Sequence, residues 1–133
     1  MRSIPEIRGL NHVAIIVRDL VTSEKFYVEM LGLAVVRRHD DDAGNARSIW
    51  VELGGAVPFV ALERASTDAL ASTQPRPGLH CLALDIPPSS RAAWMERVRA
   101  HGCVVERETD FTFYFRDPDG TLVALSHYPV PRT

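Results

Sequence analysis

The sequence predicts an α+β protein of two βαβββ modules that form a cup-shaped curved sheet with helices on the outer face, because one pattern occurs twice. His12 opens an apolar run, and His80 opens a similar run 68 residues later. The segment Val-Ala-Leu at 60–62 recurs at 123–125. A period this long that occurs only twice indicates a duplicated pair of modules, since a solenoid needs three or more repeats.

The composition is that of an ordinary globular domain. The chain has 133 residues, 46% hydrophobic and 24% charged, which fits a single domain over residues 1–133 with a substantial core. The net charge of −2 without a basic run argues against nucleic acid as a partner, and no stretch approaches the roughly 18 apolar residues of a membrane span. Cys81 and Cys103 lie in apolar patterns typical of buried thiols in a reducing compartment, so we expect a cytoplasmic protein.

The first module, residues 8–63, combines one helix with four strands. Asp19 and Thr22-Ser23 are expected to supply the N-cap of the helix, and Phe26 and Met30 lie four residues apart on one of its faces. Gly32 ends the helical pattern, as a left-handed C′ glycine does. The strands of this module are predicted at 12–17, 33–39, 48–53 and 57–63.

The second module, residues 79–128, repeats this order after a linker at 64–78 that contains two prolines and lacks periodicity. Ser89-Ser90 are expected to cap a helix that ends at Gly102. The strands of this module are predicted at 79–86, 103–108, 111–116 and 121–128, with a turn at 117–120.

Alternation along the strands assigns their two faces. Phe111, Phe113 and Phe115 lie on one side of a predicted strand, whereas Tyr114 lies on the other side between polar neighbours. The first module shows the same split around Trp50. Since the phenylalanine side is expected to pack on a helix, the mixed sides should line a partly polar concavity that suits a small-molecule ligand.

Four segments carry a resemblance to a known family. They are Leu10-Asn11-His12-Val13-Ala14, Phe26-Tyr27 with Leu31-Gly32-Leu33, Gly78-Leu79-His80, and Tyr114-Phe115-Arg116-Asp117-Pro118-Asp119-Gly120. Through them the chain resembles the vicinal oxygen chelate superfamily, which includes glyoxalase I, bleomycin-resistance proteins and extradiol dioxygenases. The resemblance spans about residues 8–128 and implies that family's fold.

The resemblance also implies a divalent metal ion, such as Fe, Mn, Ni or Zn. In metal-using members the ligands are usually a histidine from the first strand of each module and a glutamate from the last strand. By that resemblance His12 and His80 match the histidine positions, whereas Ala61 and Ala124 stand where glutamate is expected. Catalytic metal sites usually have three protein ligands, so a third ligand is needed.

Glu63 is the first candidate for the third metal ligand and for the catalytic carboxylate. It lies two residues beyond Ala61, so a regular strand turns both residues to one face, about 6.6 Å apart. Glu52 on the neighbouring strand is the second candidate. The alternative for either glutamate is an exposed carboxylate at a strand end. The alternative for His12 and His80 is a pair of buried or pocket-lining side chains, each held by a hydrogen bond.

The walls of the predicted pocket are aromatic and apolar, because such side chains offer broad contact area. The predicted substrate-binding residues are Trp50, Glu52, Phe59, Tyr114, Arg116 and Leu122. The alternative for the aromatic residues is packing at the sheet edge. For Arg116 it is an ion pair with Asp117 or Asp119 that fixes the turn.

Two functions remain open. The first is a metal-assisted lyase, isomerase or dioxygenase, whose ion chelates two oxygens of a small metabolite and stabilises a developing enolate or bound oxygen species. The second is a metal-free protein that sequesters an aromatic antibiotic or metabolite between Trp50 and Tyr114. By the resemblance we expect a homodimer, with His12 and His80 contributed to each site by two chains or by one.

Overall fold

The computed structural model describes residues 4–65 and 77–132, and the chain divides into two compact units, Met1–Ser66 and Thr67–Thr133. Each unit contains a four-stranded sheet and one principal helical segment in the order βαβββ, which confirms the predicted fold class. Most of the predicted linker at 64–78 lies outside the described residues. Among the described helices, none has the length and apolarity that crossing a membrane requires.

The first unit has four strands in the spatial order β1-β4-β3-β2. Strand β1 is parallel to β4, and the other neighbouring strands are antiparallel. Helix α1 continues directly into a π-helical segment before β2. The bounds are β1 His12–Val17, α1 Leu20–Glu24, the π-helical segment Lys25–Met30, β2 Ala34–Asp40, β3 Ala46–Glu52 and β4 Phe59–Arg64.

The two ends of this helical segment follow the sequence predictions. The Asp19 carboxylate accepts hydrogen bonds from the Thr22 hydroxyl (2.8 Å) and the Val21 amide (3.0 Å), and these bonds lower the pKa of Asp19. Gly32 has a φ of +76° and donates its amide to the Val28 carbonyl. Asp19 is therefore confirmed as the N-cap and Gly32 as the left-handed residue that ends the helix.

The core of the first unit lies on one face of the sheet. Ile15 and Val17 of β1 are buried, whereas His12, Ala14 and Ile16 on the other face are exposed. The helical side chains that complete the core are Leu20, Phe26, Tyr27 and Met30. Because the helix uses one face of the sheet, the face that carries His12 is left for other contacts.

The second unit repeats this topology, with strands in the order β5-β8-β7-β6. Strand β5 is parallel to β8, and the other pairs are antiparallel. A single 3₁₀ turn, Pro88–Ser90, precedes the helix. The bounds are β5 Leu82–Asp85, α2 Arg91–Ala100, β6 Arg107–Glu108, β7 Thr112–Arg116 and β8 Leu122–Ser126.

Three local predictions in the second unit are wrong. The predicted strand at 103–108 is reduced to β6, because the Cys103 amide closes the end of α2 by donating to the Val98 carbonyl (3.1 Å). The Ser90 hydroxyl does not cap α2 but donates back to the Pro87 carbonyl. The predicted strand at 79–86 begins only at residue 82, so His80 precedes it and is exposed.

Candidate functional site

The face of the first sheet that carries His12, here named the ring face, is organised in three rows by the strand register. Directly paired residues project to the same side of a sheet, and successive rows lie about 6.6 Å apart along the strands. Across β1, β4, β3 and β2 the rows are His12–Phe59–Glu52–Ala34, Ala14–Ala61–Trp50–Arg37 and Ile16–Glu63–Ser48–His39.

Four rings form a continuous run across the ring face. The rings of His12 and Phe59 are stacked with centroids 4.7 Å apart and planes at 11°. Phe59 stacks in turn on Trp50, at 4.6 Å and 26°. His39 contacts Trp50 at 4.9 Å with tilted planes. Each of the four strands therefore contributes one ring to the run.

The spacing of these rings determines what they present to a ligand. Neighbouring strands lie about 4.8 Å apart, nearly the centroid spacing of His12, Phe59 and Trp50, so the nearly parallel rings turn their faces toward one another. The edges of these rings then point away from the sheet, on the side opposite the helical segment. Ring edges carry the positive end of the aromatic quadrupole, so a flat, electron-rich molecule laid across them makes favourable edge-to-face contacts.

His12 ends the run on the edge strand β1 and is exposed. Its Nδ1 lies 2.8 Å from the Asn11 carboxamide oxygen, which can only accept a hydrogen bond. We therefore assign the proton of the neutral imidazole to Nδ1, which leaves the Nε2 lone pair for a donor or a metal ion.

A β-bulge in β2 places two further side chains on the ring face. Val35 pairs with Val51 on the core side, and the register shifts before Arg37 pairs with Trp50. On a regular strand Arg37 would share the core side with Val35, so the extra residue, Val36, turns Arg37 and then His39 toward the rings. The Arg37 guanidinium carbon lies 5.7 Å from the Trp50 ring centroid.

Two polar atoms beside Arg37 are buried without a hydrogen-bond partner among the described residues. They are Nε1 of Trp50 and Nε2 of His39. A buried polar atom without a partner costs about 1–3 kcal/mol and requires an explanation. An unmet hydrogen-bonding capacity is thus concentrated at the β2 end of the run.

Glu63 and Glu52, the two candidate carboxylates, lie in different rows of the sheet relative to His12. Glu63 pairs with Ile16, four residues along β1 from His12, which corresponds to about 13 Å. Glu52 lies in the same row as His12, two strands away, and is half-buried. Among the described residues of either unit, no three His, Cys, Asp or Glu side chains are grouped in a way that could hold a metal ion.

The second unit carries an equivalent arrangement. Ala83, Ala124, Tyr114 and Arg107 form a row across β5, β8, β7 and β6, matching the first unit's row with Ala61 and Trp50. The Arg107 guanidinium carbon lies 4.5 Å from the Tyr114 ring centroid. An arginine on the outermost strand therefore covers an aromatic ring in both units.

Arg116 and Leu122, two predicted substrate-binding residues, form the row next to Tyr114. The Arg116 guanidinium donates to a Glu106 carboxylate oxygen (2.9 Å) and to the Gly120 carbonyl (2.8 Å). These contacts brace the β7–β8 turn, and they bring in Glu106, which the sequence interpretation did not consider.

Strand pairing shows that His12 and His80, which the sequence repeat makes equivalent, do not occupy equivalent positions in the two modules. His12 lies two residues before Ala14, which pairs with Ala61, whereas the residue two before Ala83, which pairs with Ala124, is Cys81. His80 is therefore one residue out of step with His12. This offset could have been found from the alternation of apolar side chains along β5. Leu82, Leu84 and Ile86 turn toward the core side, and their counterparts in β1 are Val13, Ile15 and Val17.

Three solved structures have this fold over nearly their whole length. Fosfomycin resistance protein FosX from Listeria monocytogenes, complexed with Mn(II) and sulfate, is 20% identical, with 94% of this chain and 96% of that chain covered and a TM-score of 0.72. A glyoxalase family protein from Enterococcus faecalis is 24% identical (90% and 98% covered, TM-score 0.72). An integron cassette protein from the mobile metagenome of V. Cholerae is also 24% identical (95% and 99% covered, TM-score 0.66).

Sequence comparison extends this likeness of fold to membership of a family. The sequence model described as Glyoxalase/Bleomycin resistance protein/Dioxygenase superfamily matches residues 9–125, which is most of the chain. With two βαβββ units and this match, the chain belongs to the glyoxalase/bleomycin resistance protein/dioxygenase superfamily.

Proposed function

We propose that this protein binds a flat, conjugated small molecule on the ring face of its first unit, and that binding requires no metal ion. The run His12–Phe59–Trp50–His39 carries the proposal, because it spans all four strands and presents ring edges to a ligand. Ala14 lies in the row of Trp50 on the edge strand β1 and is exposed, so its small side chain leaves room over the sheet.

The donor set on this face does not fit a metal centre of the kind that the superfamily uses. Glu63 lies about 13 Å along the strand from His12, and Ala61 lies in the row between the levels of these two residues. The sheet of the first unit therefore gives His12 only Glu52 at its own level, with the Phe59 ring between them. Two separated donors do not form the three-ligand set of a catalytic site.

Replacing Phe59 by alanine tests the proposal. We expect calorimetric titration to show that the protein binds 2-naphthamide, a flat neutral probe, and that Phe59→Ala weakens this binding about tenfold. The reason is that an aromatic contact contributes about 0.5–1.5 kcal/mol beyond its buried area, and this substitution also divides the ring run.

The controls separate edge-to-face aromatic contacts from general apolar binding. Tyr128→Ala removes an exposed ring of the second unit and should leave the affinity unchanged, as should prior treatment with EDTA. Cyclohexanecarboxamide, which is saturated, should bind far more weakly than 2-naphthamide. Equal binding by the Phe59→Ala variant, or the absence of binding by the native protein, would contradict the proposal.

A metal-assisted lyase, isomerase or dioxygenase is the second candidate function, and one observation favours it. The Asn11 carboxamide fixes the His12 tautomer with Nε2 available, which is how a hydrogen bond prepares a histidine as a metal ligand. FosX, a structural neighbour, binds Mn(II). In this alternative His80 and either Glu52 or Glu63 would supply the other ligands, within one chain or across a homodimer.

Metal addition to untagged protein tests the second candidate. If His12 is a metal ligand, Mn(II), Zn(II), Ni(II) or Fe(II) should raise the thermal unfolding midpoint, and His12→Ala should abolish the increase. Our primary proposal predicts no metal-dependent increase in the native protein. A His101→Ala variant, which alters an exposed histidine at the end of α2, serves as the matched control.

A further inference from the structure

We infer that the ligand of the ring face carries an anionic group, and that Arg37 binds this group at the β2 end of the ring run. The inference rests on the proposed function and names the ligand class within it, a flat conjugated molecule with a carboxylate, sulfonate or phosphate substituent. Its first support is the β-bulge at Val36. Without that extra residue Arg37 would point to the core side of β2, so the bulge puts a cation beside Trp50.

The second support is that Arg37 has no carboxylate partner among the described residues. Other arginines have carboxylate partners, as in the pairs Arg38–Glu24, Arg64–Asp41, Arg91–Glu108 and Arg116–Glu106. Within residues 4–65 and 77–132, the Arg37 guanidinium lies against the Trp50 ring. An exposed guanidinium held over an indole keeps its planar fork of donors for a carboxylate or a phosphate group.

The third support is the distribution of the other polar groups on the ring face. Nε1 of Trp50, in the row of Arg37, is a buried donor without a partner among the described residues, and an anion that reached it would gain a second hydrogen bond. Glu52 lies in the row of Phe59 and Glu63 in the row of Ser48, so both carboxylates flank the row of Arg37. Their negative charge confines an anion to the end where Arg37 lies.

The second unit repeats the device independently. Arg107 lies over Tyr114 with the same relation to the sheet, on the outermost strand and in the row of Ala124. Among the described residues of the second unit, Arg107 likewise contacts a ring and forms no ion pair with a carboxylate. Both units therefore place an arginine over an aromatic ring at equivalent positions, so the arrangement is a repeated feature of the fold.

Matched neutral and anionic probes test the inference. We expect 2-naphthoate to bind the native protein about tenfold more tightly than 2-naphthamide, and added NaCl to reduce only the affinity for 2-naphthoate. Arg37→Met should weaken 2-naphthoate binding to the level of 2-naphthamide while leaving 2-naphthamide binding within about twofold. Arg37→Lys should give an intermediate affinity, because it keeps the charge and loses the planar fork.

Arg47→Met is the matched control, since Arg47 is an exposed arginine on β3 whose side chain projects to the opposite face from Trp50. It should leave the affinity for both probes unchanged. Naphthalene-2-sulfonate and 2-naphthyl phosphate, measured beside 2-naphthoate, identify which anion is preferred. Equal affinity for 2-naphthoate and 2-naphthamide would overturn this inference and leave the proposed function standing, whereas binding of neither probe would overturn both.

Discussion

Replacing Arg91 by alanine is expected to lower the free energy of unfolding by about 3–5 kcal/mol, because it leaves a cavity and unpaired hydrogen-bond acceptors inside the second unit. Only 3% of the residue is exposed. One guanidinium nitrogen lies 3.1 Å from Nε2 of His127, and the other donates to the Thr109 carbonyl (2.9 Å) and to the Glu108 carboxylate (3.3 Å). Alanine would leave Nε2 of His127 and the Thr109 carbonyl without this donor beside a cavity, whereas the exposed Glu108 carboxylate would be hydrated.

The protonation of His127 follows from its neighbours. Its Nδ1 lies 2.6 Å from the Val130 carbonyl oxygen, which can only accept, so we assign the proton to Nδ1. Nε2 is then the acceptor for Arg91, and the imidazole is neutral. The network joins the start of α2 to the turn before β7 and to the segment that follows β8.

Urea unfolding measures this prediction. Arg99→Ala, an exposed position on the same helix, should change the free energy of unfolding by less than about 0.5 kcal/mol. Arg91→Met retains most of the volume, so it separates the loss of hydrogen bonds from the loss of packing. A change below about 1 kcal/mol for Arg91→Ala would show that the network does not stabilise the second unit.

The order of elements was predictable because it rests on local signals. Alternation marks strands, and the N-cap Asp19 and the left-handed Gly32 and Gly102 mark helix ends within a few residues of chain. The structure gives φ values of +76° and +86° at the two glycines. Such signals do not require knowledge of which strands become neighbours, so both βαβββ orders were correct.

The composition of the ring face was only partly predictable. Alternation placed Trp50 on this face, and Phe59 was expected as a pocket wall, but Arg37 and His39 were missed because a β-bulge reverses the alternation and has no local signature at Val36. The equivalence of His12 and His80 was inferred from residue type. Strand pairing instead makes Cys81 the counterpart of His12, because a shift of one residue exchanges the two faces.

Arg91 and His127 were missed for a different reason. A charged residue in the first turn of a helix is normally solvated, and a cation there is opposed by the helix dipole. Burial of Arg91 depends on acceptors from two distant segments of the second unit, and no sequence pattern connects them. Long-range polar networks of this kind appear only when the tertiary structure is known.

Introducing glutamate at Ala61 should lower the free energy of unfolding by about 3 kcal/mol, and Mn(II) should not restore it. Only 2% of Ala61 is exposed, and its row neighbours are Ala14 and Trp50. A carboxylate there would either displace the indole or remain buried without a cation, and both outcomes are costly.

Ala14→Glu is the matched control for this substitution. Ala14 lies in the same row but is exposed on the edge strand β1, so a carboxylate there stays hydrated and should cost less than about 0.5 kcal/mol. The comparison isolates burial from the addition of negative charge to this face of the sheet.

The Ala61→Glu variant also discriminates between the two candidate functions. If the chain is a metal-binding member of its superfamily that has lost only the carboxylate, Ala61→Glu should supply the missing ligand near His12, and Mn(II) or Zn(II) should stabilise the variant. If the ring run is the binding site, Ala61→Glu should abolish 2-naphthamide binding, because the new side chain competes with the indole for the space above Ala61. Thermal unfolding with and without metal, together with calorimetric titration of 2-naphthamide, distinguishes these results, since metal rescue is expected only when the imidazole and the new carboxylate can reach one ion.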